Sequence, residues 1–309
     1  MANITAAMVK DLRDKTGAGM MDCKTALNET GGDMEAAIDW LRKKGISKAA
    51  KKAGRTAAEG LIGVATGKGA GALVEVNAET DFVARNDEFK AFVKSAAEIA
   101  LKEEGDLEKL LAAKHGASTV DQTLKELVAK IGENMAVRRA IALAVDPGVV
   151  AAYVHNADAG APELGKIGVL VALKSTADQA KLAPLARQIA MHVAFAAPLA
   201  LTPDHLDKDV VARERNVQLE IVRQSGKPEN IVEKMLEGKM RKFYEDVVLL
   251  LQTFAIDGET QISKLLEKAG KEFGAPVSID GFVRFKVGDG IEKVESDFAD
   301  EVAQMAGSR

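Results

Sequence analysis

An aspartate and a phenylalanine, Asp81 and Phe82, stand side by side in the mostly polar run Glu79-Thr-Asp-Phe-Val-Ala-Arg-Asn-Asp-Glu-Phe89. The segment before it, Gly71-Ala-Leu-Val-Glu-Val-Asn77, alternates like a half-buried strand. The segment after it repeats apolar residues at Phe89, Phe92, Val93, Ala96 and Ile99 like a helix face. Phe82 therefore falls in a strand-to-helix connection, where chains run over the surface. Two readings stand open. A ring held there beside a carboxylate is suited to enter another molecule's pocket, as interface anchors do. Alternatively it folds back over its own core, the commoner fate of large aromatics.

No other constellation offers bond-making chemistry. His115, His155, His192 and His205 are scattered without metal-ligand spacing, and Gly67, Gly69 and Gly71 form a turn that lacks the Lys-Ser/Thr ending of a phosphate loop. Cys23 falls near an expected helix start, which can lower a thiol pKa, but it has no resolving cysteine and reads as a small packed residue. Asp87-Glu88 and Glu103-Glu104 sit at expected helix ends. With no nucleophile, base and orienting group together, no catalytic residue, metal or cofactor is expected.

The composition narrows the class. A chain of 309 residues with 47% hydrophobic residues can bury a sizeable core and divides into two or three units. A net charge of -4 and a pI near 5.8 argue against a dedicated nucleic-acid binder. One cysteine admits no intrachain disulfide, which fits a reducing compartment. No leader and no bilayer-spanning run are visible, so a cytoplasmic, membrane-free protein is expected.

The elements that must position Asp81 and Phe82 are legible as an α+β arrangement. Ile4, Met8 and Leu12 predict a helix over residues 4–15 with Thr5 as cap and Gly17 as stop. Two more helices are predicted, one capped by Asp22 and one capped by Asp33 and ending at Gly45. They make a three-helix module over residues 1–45. Residues 46–59 read as a linker, because Arg42 to Arg55 are basic without an acidic residue; an RNA-contacting strip is the alternative, without aromatics for stacking. A hairpin from Gly60, a helix, and the strand-like Val137 to Leu143 fill a first core subdomain, residues 60–145. The match of Gly71-Ala-Leu-Val-Glu-Val-Asn77 to Gly168-Val-Leu-Val-Ala-Leu-Lys174 predicts a related second subdomain, residues 146–203 and 244–288.

An antiparallel helical hairpin is inserted in that second half, over residues 204–243. Val210, Val217 and Ile221 mark one arm, and Val232, Leu236, Met240 and Phe243 the other. Ser225-Gly-Lys-Pro228 separates them. So narrow a seam predicts a projecting coiled coil, open to a second copy of the chain or to another protein. A final helix on Ile291, Val294, Phe298 and Val302 makes a C-terminal module, residues 289–309.

Several long motifs stand out: Thr16-Gly-Ala-Gly-Met-Met-Asp-Cys-Lys24 after Leu12-Arg13, Thr80-Asp-Phe-Val-Ala-Arg85, Lys130-Ile-Gly-Glu-Asn134 with Arg138-Arg139, Ile189-Ala-Met-His-Val193, Gln224-Ser-Gly-Lys-Pro228, and Gly281-Phe-Val-Arg-Phe285 with Gly290-Ile-Glu-Lys-Val-Glu295. Together they resemble the bacterial elongation factor Ts family. The resemblance runs through the chain in order. It implies a guanine-nucleotide exchange factor for elongation factor Tu, not an enzyme in the covalent sense, with a ubiquitin-associated-like first module. It also implies that Asp81 and Phe82, flanked by Thr80 and Val83, enter Tu near its magnesium site. Arg13, Met20 and Met21 would contact the same domain, and Ile131 and His155 match further contact positions.

Overall fold

A computed structural model describes residues 4–16 and 18–292, without the side chains of residues 46–48, 50 and 51. Helices α1 (Ala6–Thr16), α2 (Met20–Glu29) and α3 (Met34–Lys52) open the chain and close a small core around Leu12, Cys23, Ala26 and Leu27. The Thr5 hydroxyl accepts from the Met8 amide at 3.3 Å, and the Asp33 carboxylate from the Ala36 amide at 2.9 Å, as their residue types require. Asp22 does not cap α2. The helix begins two residues earlier behind Gly19, and Asp22 lies in its first turn, where a negative charge suits the helix dipole. Cys23 is fully buried, and burial pushes its thiol pKa up rather than down.

The first core half follows as β1 (Glu59–Gly67), β2 (Ala70–Ala78), the single turn α4 (Asp81–Ala84), α5 (Asp87–Lys102), α6 (Leu107–Ala112), the short β3 (Lys114–His115) and β4 (Ser118–Thr119), α7 (Val120–Ile131) and β5 (Met135–Ala144). The second half holds β6 (Gly148–His155), β7 (Leu164–Gly165), β8 (Ile167–Lys174), α8 (Gln179–Ala196), α9 (Lys208–Arg223), α10 (Glu229–Val247), α11 (Ile262–Phe273) and β9 (Ser278–Lys286). Two main antiparallel sheets result, in the orders β5-β2-β1-β7 and β6-β8-β9, beside the small β3-β4 pair. Each half uses the same path: two paired strands, then helices, then a strand that returns beside the second of the pair.

The sheets face each other through Ile62, Val64, Leu73, Val150, Leu170 and Phe285. Helices α5 and α7 cover the outer face of the first sheet, and α8 and α11 that of the second. The repeated glycines explain the closeness. A Cβ on Gly71 would lie 2.9 Å from Leu170, and one on Gly168 would lie 2.6 Å from Ile62 and 3.1 Å from Leu73. Each half thus supplies a glycine that admits the other's leucine, at matching places in the matching motif.

Glu75, fully buried on β2, ties the halves together. Its carboxylate accepts from the Arg139 guanidinium at 2.5 Å, from Arg138 at 3.2 Å, from the Asn77 amide group at 3.0 Å, and from the Gly288 backbone beyond β9 at 2.8 Å.

Helix α3 departs from expectation. It does not stop at Gly45 but runs to Lys52, through the start of the basic segment read as a linker. Gly45 serves contact rather than termination: a Cβ there would come within 3.2 Å of the Ala129 Cβ on α7. Arg42 reaches Glu126 at 3.1 Å and Ser118 at 2.7 Å, Lys44 reaches Asp22 at 3.2 Å, and Lys52 donates to the Gly132 carbonyl. Arg42, Lys44 and Lys52 thus have partners within the fold, although Arg42 and Lys44 stay partly open to solvent.

The hairpin of α9 and α10 turns at Gly226, whose φ of +67° favours glycine. Its first seam is shifted from the expected one. Val222 is buried and Val211 packs inward, while Val217 and Ile221 are 47% and 50% exposed. The intervening seam positions are polar: Gln218 and Glu214 are half-buried and hydrogen-bonded to each other at 2.7 Å, so apolar type alone misplaces the stripe. At its base the chain enters and leaves side by side. The Leu199 amide donates to the Val247 carbonyl at 2.8 Å, and the Leu249 amide to the Ala200 carbonyl at 2.8 Å. The expected Gly17 stop and the final helix, on Val294, Phe298 and Val302, lie outside the described residues.

Two glycine-to-alanine changes should move stability in opposite directions. Gly168→Ala should destabilise by roughly 2 kcal/mol through overpacking between the sheets. Gly238→Ala on α10, with nothing within 4 Å of the new methyl, should stabilise by up to about 1 kcal/mol. Urea denaturation midpoints check both.

Candidate protein-docking site

The turn α4 separates two kinds of phenylalanine. Phe89 and Phe92 on α5 are 0% and 4% exposed, whereas Phe82 is 75% exposed. Asn86 makes the division: its carboxamide oxygen accepts from the Glu88 and Phe89 amides at 3.0 and 3.1 Å, capping α5 and turning Phe89 inward. In α4 the next two residues, Val83 and Ala84, are buried at 4% and 6% and hold the turn to the core. A single turn cannot face all its side chains one way, so Phe82 points out. The open alternative of a ring folded over its own core is therefore not the one adopted.

The carboxylate of Asp81 pairs with the Arg85 guanidinium at 2.9 Å across the turn. The pair is largely exposed, and such pairs add little stability. Thr80, at the cap position, directs both its polar groups inward. Its amide donates to the Glu133 carboxylate at 3.0 Å and its hydroxyl at 2.8 Å. Glu133 follows Gly132, the left-handed cap of α7 at φ +91°. In return the Asn134 amide donates to the Glu79 carboxylate at 2.5 Å, and Asn134 also donates to the Arg55 carbonyl at 2.7 Å. Sequence reading took Lys130-Ile-Gly-Glu-Asn134 only as part of a family motif and assigned Glu133 and Asn134 no contact. The partners lie more than fifty residues away along the chain, and no local spacing announces such a pairing.

Ile131, half-buried at the end of α7, lies two residues from the Glu133 clamp and so belongs to the same edge. His155 ends β6, exposed, with its Nδ1 3.2 Å from the Tyr153 hydroxyl. The loop beyond it is fastened to α5 by Lys90–Asp158 at 2.7 Å and Lys94–Glu163 at 2.5 Å. These lysines hold both carboxyls below their ordinary range. In the first module, Met20 and Met21 are 49% and 72% exposed at the start of α2, and Arg13 is exposed on α1. The other histidines are held by neighbours. His192 is buried, with Nε2 2.9 Å from the Gln252 side-chain oxygen and Nδ1 accepting from the Ala255 amide at 3.1 Å; burial lowers its pKa. Among the described residues, no group of three or more His, Cys, Asp or Glu is arranged to hold a metal, and no helix is long and apolar enough to cross a membrane.

The arrangement suits recognition by contact: an exposed ring on a turn whose other side is pinned by two buried residues and a carboxylate clamp. A family model described as "Elongation factor TS" matches residues 79–289. The chain is 61% identical over 306 residues to elongation factor Ts of Rhodospirillum rubrum, covering 98% of each chain. It is 60% identical over 309 residues to that of Rhodospirillum centenum, covering 99% of this chain and all of that one. With that of Parvibaculum lavamentivorans it shares 58% over 308 residues, covering 99% of each.

The two sides of α4 should differ in stability tests. Val83→Ala should cost about 2 kcal/mol, from two buried methyl groups and the space left behind. Phe82→Ala should leave the thermal midpoint within about a degree of the parent, because an exposed ring contributes little to folding. Paired melting curves measure the contrast.

Proposed function

The chain belongs to the elongation factor Ts family of translation elongation factors, and from that membership and the outward Phe82 we propose that it is the guanine-nucleotide exchange factor for elongation factor Tu. On this reading it acts in the cytoplasm, makes and breaks no covalent bond, and carries no cofactor. The observation that carries the reading is the 75% exposure of Phe82 beside Asp81 on a turn anchored from within.

A guanine nucleotide in a GTPase is held chiefly through its phosphates, by a nest of backbone amides, a lysine and Mg²⁺. A ring pressed behind that site shifts the backbone and the cation's surroundings without imitating a phosphate. Phe82 is the wedge, Asp81 orients the approach, and Val83 and Thr80 brace the turn from the inner side. Met20, Met21 and Arg13 supply docking area on the nucleotide domain of Tu, with Ile131 and His155 as further contacts. Binding of this chain and of nucleotide to Tu then oppose each other by one shared factor, so GTP releases the exchange factor as the factor releases GDP. The exposed faces of the α9–α10 hairpin remain open to a second copy of the chain.

The test is release of fluorescent GDP from purified Tu, with and without this chain. Strong acceleration supports the reading, and unchanged release overturns it. Phe82→Ala should lower the stimulated rate about tenfold or more, corresponding to a hot spot worth ~2 kcal/mol. The double change Met20→Ala, Met21→Ala should act differently: about tenfold more factor is needed for half-maximal effect, with the maximal rate little altered.

A further inference from the structure

We propose that Glu133 is a positioning residue for exchange, setting the angle at which Phe82 leaves the fold; the inference rests on the exchange reading above. The wedge turn has only four helical residues and cannot hold its own orientation through helix hydrogen bonds. Its direction is imposed where it begins, at Thr80. There the Glu133 carboxylate takes the backbone amide at 3.0 Å and the hydroxyl at 2.8 Å. Two bonds to two atoms of one residue fix rotation as well as distance, and bonds to an ionised acceptor are among the strong ones.

The clamp is reciprocal and reaches the first module. Glu79, next to Thr80, accepts the Asn134 amide at 2.5 Å, so the two chain segments exchange carboxylates across the gap. Arg55, just past α3, lies 3.5 Å from the Glu79 carboxylate, and Lys52 within α3 donates to the Gly132 carbonyl. The end of α3, which packs on the α2 helix that carries Met20 and Met21, and the turn that carries Phe82 therefore meet at the end of α7. Glu133 itself is half-buried beneath Thr80 and need not touch the partner. Its effect passes through the ring.

The experiment uses full-length chains in the fluorescent-GDP release assay with purified Tu, titrating each factor to separate maximal rate from apparent affinity. Glu133→Ala is expected to lower the maximal rate about tenfold while changing the half-saturating concentration less than about twofold, as loss of orientation without loss of docking would. Glu133→Gln, which keeps an acceptor without the charge, should recover part of the rate. Thr80→Val, which removes the hydroxyl half of the clamp, should fall between parent and Glu133→Ala, and it keeps the test open if Glu133→Ala does not fold. The decisive comparison adds Phe82→Ala to each variant. If Glu133 acts through the ring, the second change costs little more, whereas independent effects multiply.

A parent chain that accelerates release and a Phe82→Ala chain that does not, beside a Glu133→Gln and a Thr80→Val chain at full parent rate, overturn this inference alone. So does full multiplication of the two effects. A parent chain without effect on GDP release overturns the exchange reading itself, and the two failures are thereby separable.

Discussion

A carboxylate without access to water is costly to leave unpaired, and the partners gathered by Glu75 come from both halves of the core. Arg138 and Arg139 reach it from β5, Asn77 from its own strand, and the Gly288 amide from beyond β9 in the other half. Arg139 also bonds the Lys286 carbonyl and lies over the Phe285 ring, at 4.1 Å from its centre. Close packing brings the sheets together, and this buried charge joins β2 to β5 and to the chain beyond β9. The strand that carries it, β2, leads straight into the turn bearing Phe82. An outward ring can press on another protein only if the body behind it does not yield.

The division between what the residues announced and what they hid follows physical range. Caps such as Thr5 and Asp33 act within three residues and are written in the local sequence, although Asp22 was misread as one because its helix starts earlier. The repeated glycine motif was legible for a similar reason: Gly71 and Gly168 sit in like surroundings because each admits the other half's leucine. Gly45 misled because glycine has two uses. It ends helices, and it lets them touch, and only the position of Ala129 on α7 tells which applies. The seam of α9 was displaced because its middle is polar, with Gln218 and Glu214 inside the contact where an apolar stripe was sought.

The site divides in the same way. Phe82 stood out because an aromatic in a polar connection contradicts its surroundings, and such contradictions are frequent at functional positions. Its supports did not stand out. Glu133, Asn134 and Arg55 are ordinary charged or polar residues in ordinary company, and their importance comes from partners that only the fold brings near. Val83 shows the converse. It lies in the same motif as Phe82, yet it is part of the core, so one short run of sequence contains both the surface offered and the peg that fixes it.

The paired exits beneath the α9–α10 hairpin have a consequence for how this architecture can change. The backbone around Leu199 and Ala200 lies against the backbone around Val247 and Leu249, so the core closes on itself whether the excursion between them is long or short. Loop-closure cost rises only slowly with the number of residues spanned. Evolution can therefore extend, trim or re-face this arm as a cassette, leaving the two sheets and the prong untouched.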